Sequence, residues 1–586
     1  MNRRRLSAAV CAAALAATLV PLTTPASPSS AEATTLKWFA PQLVRVATPT
    51  RASRDALGKM GVDLAESAGP GYTDIVLTSA AEAARLRDAG FTWSVRIADL
   101  VRRSAMNNAA DDAYAARVKR SALPSGRTAY RTLDEFNSEM AAMAGQHPGL
   151  VKLIKLPRPS LDGRDIYGIE IGAGIKKANS GQPTFFIMGA HHAREWPSAE
   201  NTMEFAVDLV KSYGKNKQIT SLLTKSRALV VPVVNADGFD LSRTSGDMID
   251  LNLLNDYDPT GLLSILVSVE AYKRKNCRII AAVDTPDGTC ALELASPGGF
   301  GAGVDLNRNY GGFWGGPGAA SQTPNPLTGD IGPFAPTYRG AAPFSEPETQ
   351  NIRDLTSERQ VTMLITNHTF GDLILRPNGV NPETLGPDGQ PVGDSPDELA
   401  LKQLGARMSA QNGYSNQHGW ELYDTTGTTE DWSYNATGGF GYTFEIGANE
   451  FHPPFQDVVA MYNGTGKYAD KGNRRAYLIA LAHASDRRYS GVLTGKAPKG
   501  AVLRLSKTFL TPTWEGTIED SISSAMTVPA SGSFEWIVNP STRPVAIAAN
   551  PKARESYTLS CSVRGKVVKT SKVYIKRGQV KALKPC

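Results

Sequence analysis

A strand that stops at a histidine-bearing loop constrains this chain more than any other feature. Phe185-Phe186-Ile187-Met188 is an apolar run ending at Gly189, and His192 and Glu195 follow as an H-x-x-E pair just before Trp196. A helical pattern then begins near Ser198 and runs through Met203, Phe205, Ala206 and Leu209. An α/β sheet presents its sites this way, on loops at the carboxyl ends of strands. Imidazole nitrogen and carboxylate oxygen are both good zinc donors, and a catalytic zinc takes three protein ligands and keeps one position open. The stretch supplies two of the three.

The third has few sources, because the chain holds only seven histidines. His368 stands out among them. It ends the apolar run Val361-Thr362-Met363-Leu364-Ile365-Thr366-Asn367, and so emerges at a strand end as His192 does. Of the adjacent pair His191 and His192, only His192 has the spacing that turns both donors to one side. Around these runs, strand patterns at 151–156, 166–171, 184–188, 228–234, 361–366 and 442–446 alternate with helical stretches at 133–143, 198–213 and 346–356. Such alternation points to a mainly parallel or mixed sheet covered on both faces.

With 586 residues the chain exceeds one ordinary core and implies three or four folded units. Arg3 to Arg5, then an Ala/Leu/Val-rich run to Leu22 and Ala31-Glu32-Ala33, read as a signal peptide over 1–33, making the protein secreted. Residues 34–100 alternate short strands (42–46, 73–77, 93–97) with helices (53–60, 79–89) as a small α+β unit. Residues 101–125 turn Ala-, Asn-, Asp- and Arg-rich without apolar periodicity, and read as an exposed linker. Arg117-Val118-Lys119-Arg120 within it is an easy proteolytic target. The α/β domain follows over 126–488, with an insertion near 240–270 that carries no mechanistic clue. Residues 489–586 give short strand-like runs at 502–505, 534–538, 545–548, 557–563 and 573–575, a β-sandwich pattern without a catalytic constellation. Cys11 leaves with the leader, and the clustering of the other four favours Cys277–Cys290 and Cys561–Cys586, one of three connectivities. The formal charge of +7 falls to +5 once residues 1–33, with three arginines and one glutamate, are removed. No clustered basic footprint remains, so nucleic acid is not an expected partner, nor is a membrane after leader removal.

Several short motifs then fall in one order along the chain. His192-Ala193-Arg194-Glu195-Trp196 resembles the H-[S/A]-R-E-W signature of the zinc metallocarboxypeptidases, the family of carboxypeptidases A, B and T. Asn235-Ala236-Asp237-Gly238-Phe239 resembles its N-P-D-G-F turn, with Ala236 in place of proline. Lys273-Arg274-Lys275-Asn276 resembles its W-R-K-N/T segment, with Lys273 in place of the aromatic. Asp305-Leu306-Asn307-Arg308-Asn309-Tyr310 is similar to its D-x-N-R-N-[WY] motif. His368-Thr369-Phe370 falls at its third ligand, Tyr423 precedes Asp431-Trp432 by its spacing, and Phe444-Glu445 matches its T-F-E motif. The matches span about 130 to 450.

The resemblance implies an α/β fold with a mixed, eight-stranded sheet flanked by helices, preceded by a small α+β prosegment and here followed by the C-terminal β-sandwich. It implies one Zn2+ per chain held by His192, Glu195 and His368, with Glu445 as general base. Zinc in such a site lowers the pKa of its water and polarises the scissile carbonyl. Arg274 would stabilise the developing oxyanion. Asn307 and Arg308 would grip a free C-terminal carboxylate, Arg194 would touch an outer subsite, and Tyr423 would close over bound substrate. Glu430, just before Asp431, falls where the family sets its pocket floor and suggests a preference for basic C-terminal residues. The expected partners are peptides or proteins with a free C-terminus. Two other readings use the same residues: a cell-wall peptide hydrolase or amino-acid deacylase, against which Asn307 and Arg308 argue, and an inactive binding protein, which would need a lost ligand or base where none is missing.

Overall fold

Thr184 to Met188 is apolar at nearly every position because both faces of its strand are covered, and all five residues are buried in the computed structural model. The structure describes residues 39–244, 270–278, 303–317, 335–447 and 449–586. The expected leader, most of the 240–270 insertion and Cys290 lie outside these.

The N-terminal residues form a four-stranded antiparallel sheet in the order β2-β3-β1-β4, from β1 (Gln42–Thr48), β2 (Asp63–Gly69), β3 (Gly71–Leu77) and β4 (Trp93–Ile97). Helices Arg51–Gly58 and Ala80–Asp88 are capped by Thr50 and Ser79, whose hydroxyls accept from the N–H groups of Ser53 and Glu82. β2 has no counterpart among the expected strands. Its sequence, Asp-Leu-Ala-Glu-Ser-Ala-Gly, lacks alternation, and its ladder with β3 breaks between Leu64 and Ala68. Residues 100–117, expected as irregular linker, form the helix Leu100–Arg117. Its docking is polar, which explains the missing apolar periodicity. The Arg103 guanidinium donates to Glu450, Asn107 Nδ2 donates to Glu450 (2.9 Å) and to the His452 carbonyl (3.1 Å), and Asp111 accepts from the Phe455 N–H (2.6 Å).

The central sheet has eight strands in the order β11-β10-β12-β9-β7-β8-β6-β5. These are β5 (Val151–Lys155), β6 (Tyr167–Ile171), β7 (Thr184–Met188), β8 (Arg227–Val231), β9 (Val361–His368), β10 (Leu373–Arg376), β11 (Ser415–His418) and β12 (Phe440–Glu445). β12, β9, β7 and β8 run parallel in sequence across the middle, with antiparallel pairs toward both edges. This is the mixed sheet implied by the motifs. The parallel centre matters most, because it brings the carboxyl ends of β7, β9 and β12 side by side. Helix Trp196–Ser212, entered through Pro197 at its first turn, packs on β8 and β9 with Met203, Phe205, Ala206 and Leu209 all fully buried.

The C-terminal residues form two further sheets, β16-β13-β19 and β15-β14-β17-β18, facing one apolar core that contains Leu503, Trp536, Leu559 and Val573. Their strands are β13 (Gly491–Lys496), β14 (Val502–Thr513), β15 (Gly516–Thr527), β16 (Ser533–Val538), β17 (Tyr557–Val563), β18 (Lys566–Val573) and β19 (Val580–Leu583). The run 545–548, read as strand-like, is instead the helix Pro544–Ala549, which starts at a proline and is alanine-rich. Cys561 and Cys586 are disulfide-bonded across this module. Cys277 is also a disulfide cysteine. Among the described residues no helix is long and apolar enough to cross a membrane.

Candidate active site

The loops after β7 and β9 deliver their polar residues to one point. His192 Nδ1 lies 2.7 Å from Glu195 Oε1 and 3.1 Å from His368 Nδ1, and His368 Nδ1 lies 3.0 Å from Glu195 Oε2. All three side chains are buried. The outer nitrogen of each ring is engaged. His192 Nε2 sits 3.0 Å from Asp305 Oδ1, and His368 Nε2 sits 3.2 Å from the Thr366 hydroxyl. Burial alone would raise the Asp305 carboxyl, but Arg274, His192 and Arg308 outweigh it and hold that carboxyl well below its usual range. An ionised Asp305 accepts from His192 Nε2–H, which fixes the tautomer that turns the Nδ1 lone pair inward. Burial keeps His192 below its ordinary pKa and His368 down to about 3, so both rings are neutral. Two neutral imidazoles and a carboxylate with donor atoms within 4.8 Å of one another suit a zinc ion. His191 faces away from this point, with Nε2 2.8 Å from the Tyr310 hydroxyl and Nδ1 3.1 Å from Thr366.

Glu445 ends β12 directly opposite His368 in the parallel β9–β12 ladder, so the two side chains leave the sheet on the same side. Burial, reinforced by the Glu195 and Glu66 carboxylates, pushes its carboxyl well above the usual range, and its Oε2 has no hydrogen-bond partner among the described residues. Arg274 is gripped at one edge by Asp305, with Nε 2.9 Å from Oδ2. Asn307 Oδ1 accepts from both the Thr429 N–H (3.0 Å) and hydroxyl (2.8 Å), which orients its amide. Beside it, Arg308 is buried, its Nε has no acceptor, and among the described residues no carboxylate pairs with it. Tyr423 lies over Arg308, ring centroid 5.9 Å from the guanidinium carbon. Glu430, second residue of helix Thr429–Thr437, is buried with Oε2 unpartnered among the described residues, while Asp431 turns away to accept from the Gly379 N–H (2.8 Å).

Two acids that the sequence reading missed complete the site, and both come from β2. Asp63 chelates Arg194, with Nη2 2.8 Å from Oδ1. Arg194 is thus fully buried under β2 and stacks 4.0 Å from the Phe451 ring. Glu66 sits where the β2–β3 ladder breaks, with φ of 49°, and a bulge of this kind re-aims a side chain. Its Oε1 ion-pairs with Arg274 Nη1, lies 3.5 Å from the Tyr423 hydroxyl and 3.9 Å from His192 Nδ1, and its Oε2 is buried with no hydrogen-bond partner among the described residues. Nothing in a polar seven-residue stretch far from the motifs signals this role. Asp305, by contrast, stands in the Asp305-to-Tyr310 motif itself.

Comparison with known proteins agrees with this geometry. The family model described as zinc carboxypeptidase matches residues 136–465, more than half of the chain. The chain belongs to the zinc carboxypeptidase family. It is 26% identical to rat carboxypeptidase A1 over 343 residues, which is 56% of this chain and 66% of that one, so the match spans just under two thirds of the relative's length. A zinc carboxypeptidase of Saccharothrix mutabilis subsp. capreolus is 25% identical over 456 residues, 78% of this chain and 91% of its own. The crystal structure of Helicoverpa armigera carboxypeptidase A shares the fold with a TM-score of 0.57 at 18% identity, covering 77% of this chain and 98% of that one.

Proposed function

We propose that this zinc carboxypeptidase family member hydrolyses the last peptide bond of peptides and proteins, and that it is exported as a latent precursor. The observation that carries the reading is a buried arginine that pairs with no carboxylate among the described residues. Arg308 and the pre-oriented amide of Asn307 offer two-pronged and single donors beside the metal-type triad, and a free C-terminal carboxylate is the ligand those donors fit.

His192, Glu195 and His368 would hold the ion. When bound, zinc supplies Lewis acidity at the scissile carbonyl and acidifies the attacking water. The chain's own groups do the rest. Arg308 and Asn307 fix the substrate's carboxylate and so place its last carbonyl near the triad. Glu445 takes the water proton as oxygen adds to the carbonyl carbon, and returns it to the leaving nitrogen as the C–N bond breaks. Arg274, braced by Asp305, turns its other edge to the developing oxyanion. Tyr423 lies over Arg308 and suits a closing lid. The buried Glu430 carboxylate, which pairs with no cation among the described residues, supports a preference for Lys or Arg at the C-terminus.

Latency is supported by contacts at the same site. Glu66 takes the Arg274 edge meant for the oxyanion, and Asp63 takes Arg194. Residues 34–100 would then be the prosegment, 101–125 the segment whose cleavage releases it, and 1–33 the secretory leader. Secretion leaves the chain in a disulfide-permissive compartment, in keeping with Cys561–Cys586.

The test is the zinc-loaded chain, before and after limited proteolysis, against peptides ending in Arg, Lys, Phe and Leu and against their C-terminal amides. Stepwise release of C-terminal residues, with amides untouched, is the expected result. Cleavage of amides as fast as free acids would defeat the exopeptidase reading. Strong release of Phe with none of Arg would defeat the preference alone.

A further inference from the structure

The C-terminal module does more than lean on its neighbour. β14 and β15 are twelve residues each and pair along their whole length, from Val502–Thr527 to Thr513–Gly516. On its other side β14 pairs with β17 only from Val502 to Ser506. Lys507–Thr513 and Gly516–Ile522 therefore extend past the module's sheet as a two-stranded ribbon, roughly 24 Å long at the usual rise per residue.

The ribbon lands on the carboxylate-gripping corner of the site. Asp520, 2% exposed, accepts from the indole Nε1–H of Trp432 (3.1 Å), from Thr511 and from Arg353 Nε (2.7 Å). Trp432 belongs to helix Thr429–Thr437, whose first residue orients Asn307. Further along, Ile518 packs so closely on Gly311 that a Cβ there would come within 2.6 Å of its Cδ1. On the loop's far side, a Cβ at Gly312 would come within 2.7 Å of the Trp432 Cα. The loop that leaves Asn307 and Arg308 is thus wedged between ribbon and helix at distances only glycine allows. At the tip, the Trp514 N–H donates to the Trp314 carbonyl (2.8 Å) and Glu515 pairs with Arg339. The wedge reaches Arg308 directly. Gly427 N–H donates to the Gly312 carbonyl (2.9 Å), Tyr310 N–H donates to the Gly427 carbonyl (2.9 Å), and Gly427 lies against the Arg308 carbonyl.

We propose that this ribbon, through Asp520 and Trp432, positions Asn307 and Arg308, so that the C-terminal module sets the enzyme's affinity for the substrate's C-terminal carboxylate. The inference rests on the carboxypeptidase reading above. Asp520 touches no substrate; it is a positioning residue. A buried carboxylate with three donors specifies one geometry, because any other leaves charge unpaired. A small displacement of a binding group is amplified in the reaction it orients.

The full zinc-loaded chain tests this under whichever condition gives the wild type its activity. Asp520→Ala should raise KM for a peptide with a free C-terminus about tenfold, the scale of one lost hydrogen bond to a charged group, with kcat changed far less. The inhibition constant of a free amino acid product should rise in parallel, while zinc content stays constant. Asp520→Asn, which keeps an acceptor for Trp432, should recover part of the loss. Trp432→Phe replaces the indole with a smaller aromatic ring that lacks the N–H, and Asp520→Asn removes the charge while keeping the shape. Together they decide the matter should Asp520→Ala fail to fold, a raised KM in both with zinc content constant upholding the proposal. Unchanged KM and product inhibition in these variants, with only a lowered melting temperature, would overturn it. A wild-type chain that binds zinc and hydrolyses no peptide defeats the proposed function instead, a distinguishable outcome.

Discussion

Glu445 and His368 are ladder partners, so the proposed base and a candidate metal ligand are held at a separation fixed by strand spacing rather than by a loop. That rigidity is why a single atom change is informative. Glu445→Gln keeps shape and removes the proton acceptor, and should lower kcat about 10²–10⁴-fold, the usual range for a positioned acid–base group. Zinc content, measured on the same sample, should be unchanged, because Glu445 is outside the donor triad. A variant that retained wild-type kcat would remove Glu445 from the mechanism. At this scale the sequence was most readable. The x-x-E spacing separated His192 from His191, and the structure turns His191 toward Tyr310 and Thr366 instead. What spacing cannot carry is the partner that arrives from elsewhere, such as Glu66, more than a hundred residues before the first motif.

Elements were readable where burial is apolar and opaque where it is polar. β7 and β9 announce themselves as apolar runs because both faces are covered, whereas Leu100–Arg117 buries only Leu100, Ser104 and Asn107 and docks through side-chain hydrogen bonds. β2 is the extreme case: a polar strand whose ladder breaks so that Glu66 can reach Arg274. A strand that places a carboxylate this way, with Oε2 buried and unpartnered among the described residues, bears a desolvation cost that the contacts with Arg274 and Tyr423 offset. Glu66→Ala in the uncleaved chain should therefore free Arg274 and give measurable peptide hydrolysis before any proteolysis, several-fold above the wild-type precursor. It should also speed zinc removal by a chelator, since the carboxylate lies 3.9 Å from His192 Nδ1 in the candidate ligand cluster. If the uncleaved variant stays as silent and as slow to lose zinc as the wild type, β2 blocks the site by bulk alone.

Across the whole molecule, the mixed central sheet and the strand-rich C-terminal residues were legible, but the contacts between the sheets were not, because they run through charged side chains without local pattern. Asp520 joins the C-terminal strands to helix Pro347–Ser357 through Arg353, and Arg577 joins them to Asp397. Inside the C-terminal module one such cluster carries a pH dependence. Arg543 and Lys507 both donate to Glu555, with Arg543 Nη2 2.7 Å from Oε1 and Lys507 Nζ 3.0 Å from Oε2. Burial alone would raise the Glu555 carboxyl, but Arg543 and then Lys507 depress it to about 2, below the unfolded value of 4.5. Burial lowers Lys507 to about 8, so near neutral pH the cluster is charged throughout. A carboxyl depressed in the folded state binds fewer protons there than in the unfolded chain. Its stabilisation is therefore complete above about pH 4.5 and is lost as pH falls toward 2. Solvent screening of a carboxylate left partly exposed reduces the contribution to about 1–2 kcal/mol. Glu555→Gln should accordingly lower the melting temperature of the full chain at pH 7, and the gap from wild type should close as the two are compared at successively lower pH down to about 2. Thermal melts of both proteins across that range measure it. A gap that stays constant through the acid window would mean that Glu555 acts through packing or hydrogen bonding, and that its charge contributes nothing to holding the module together.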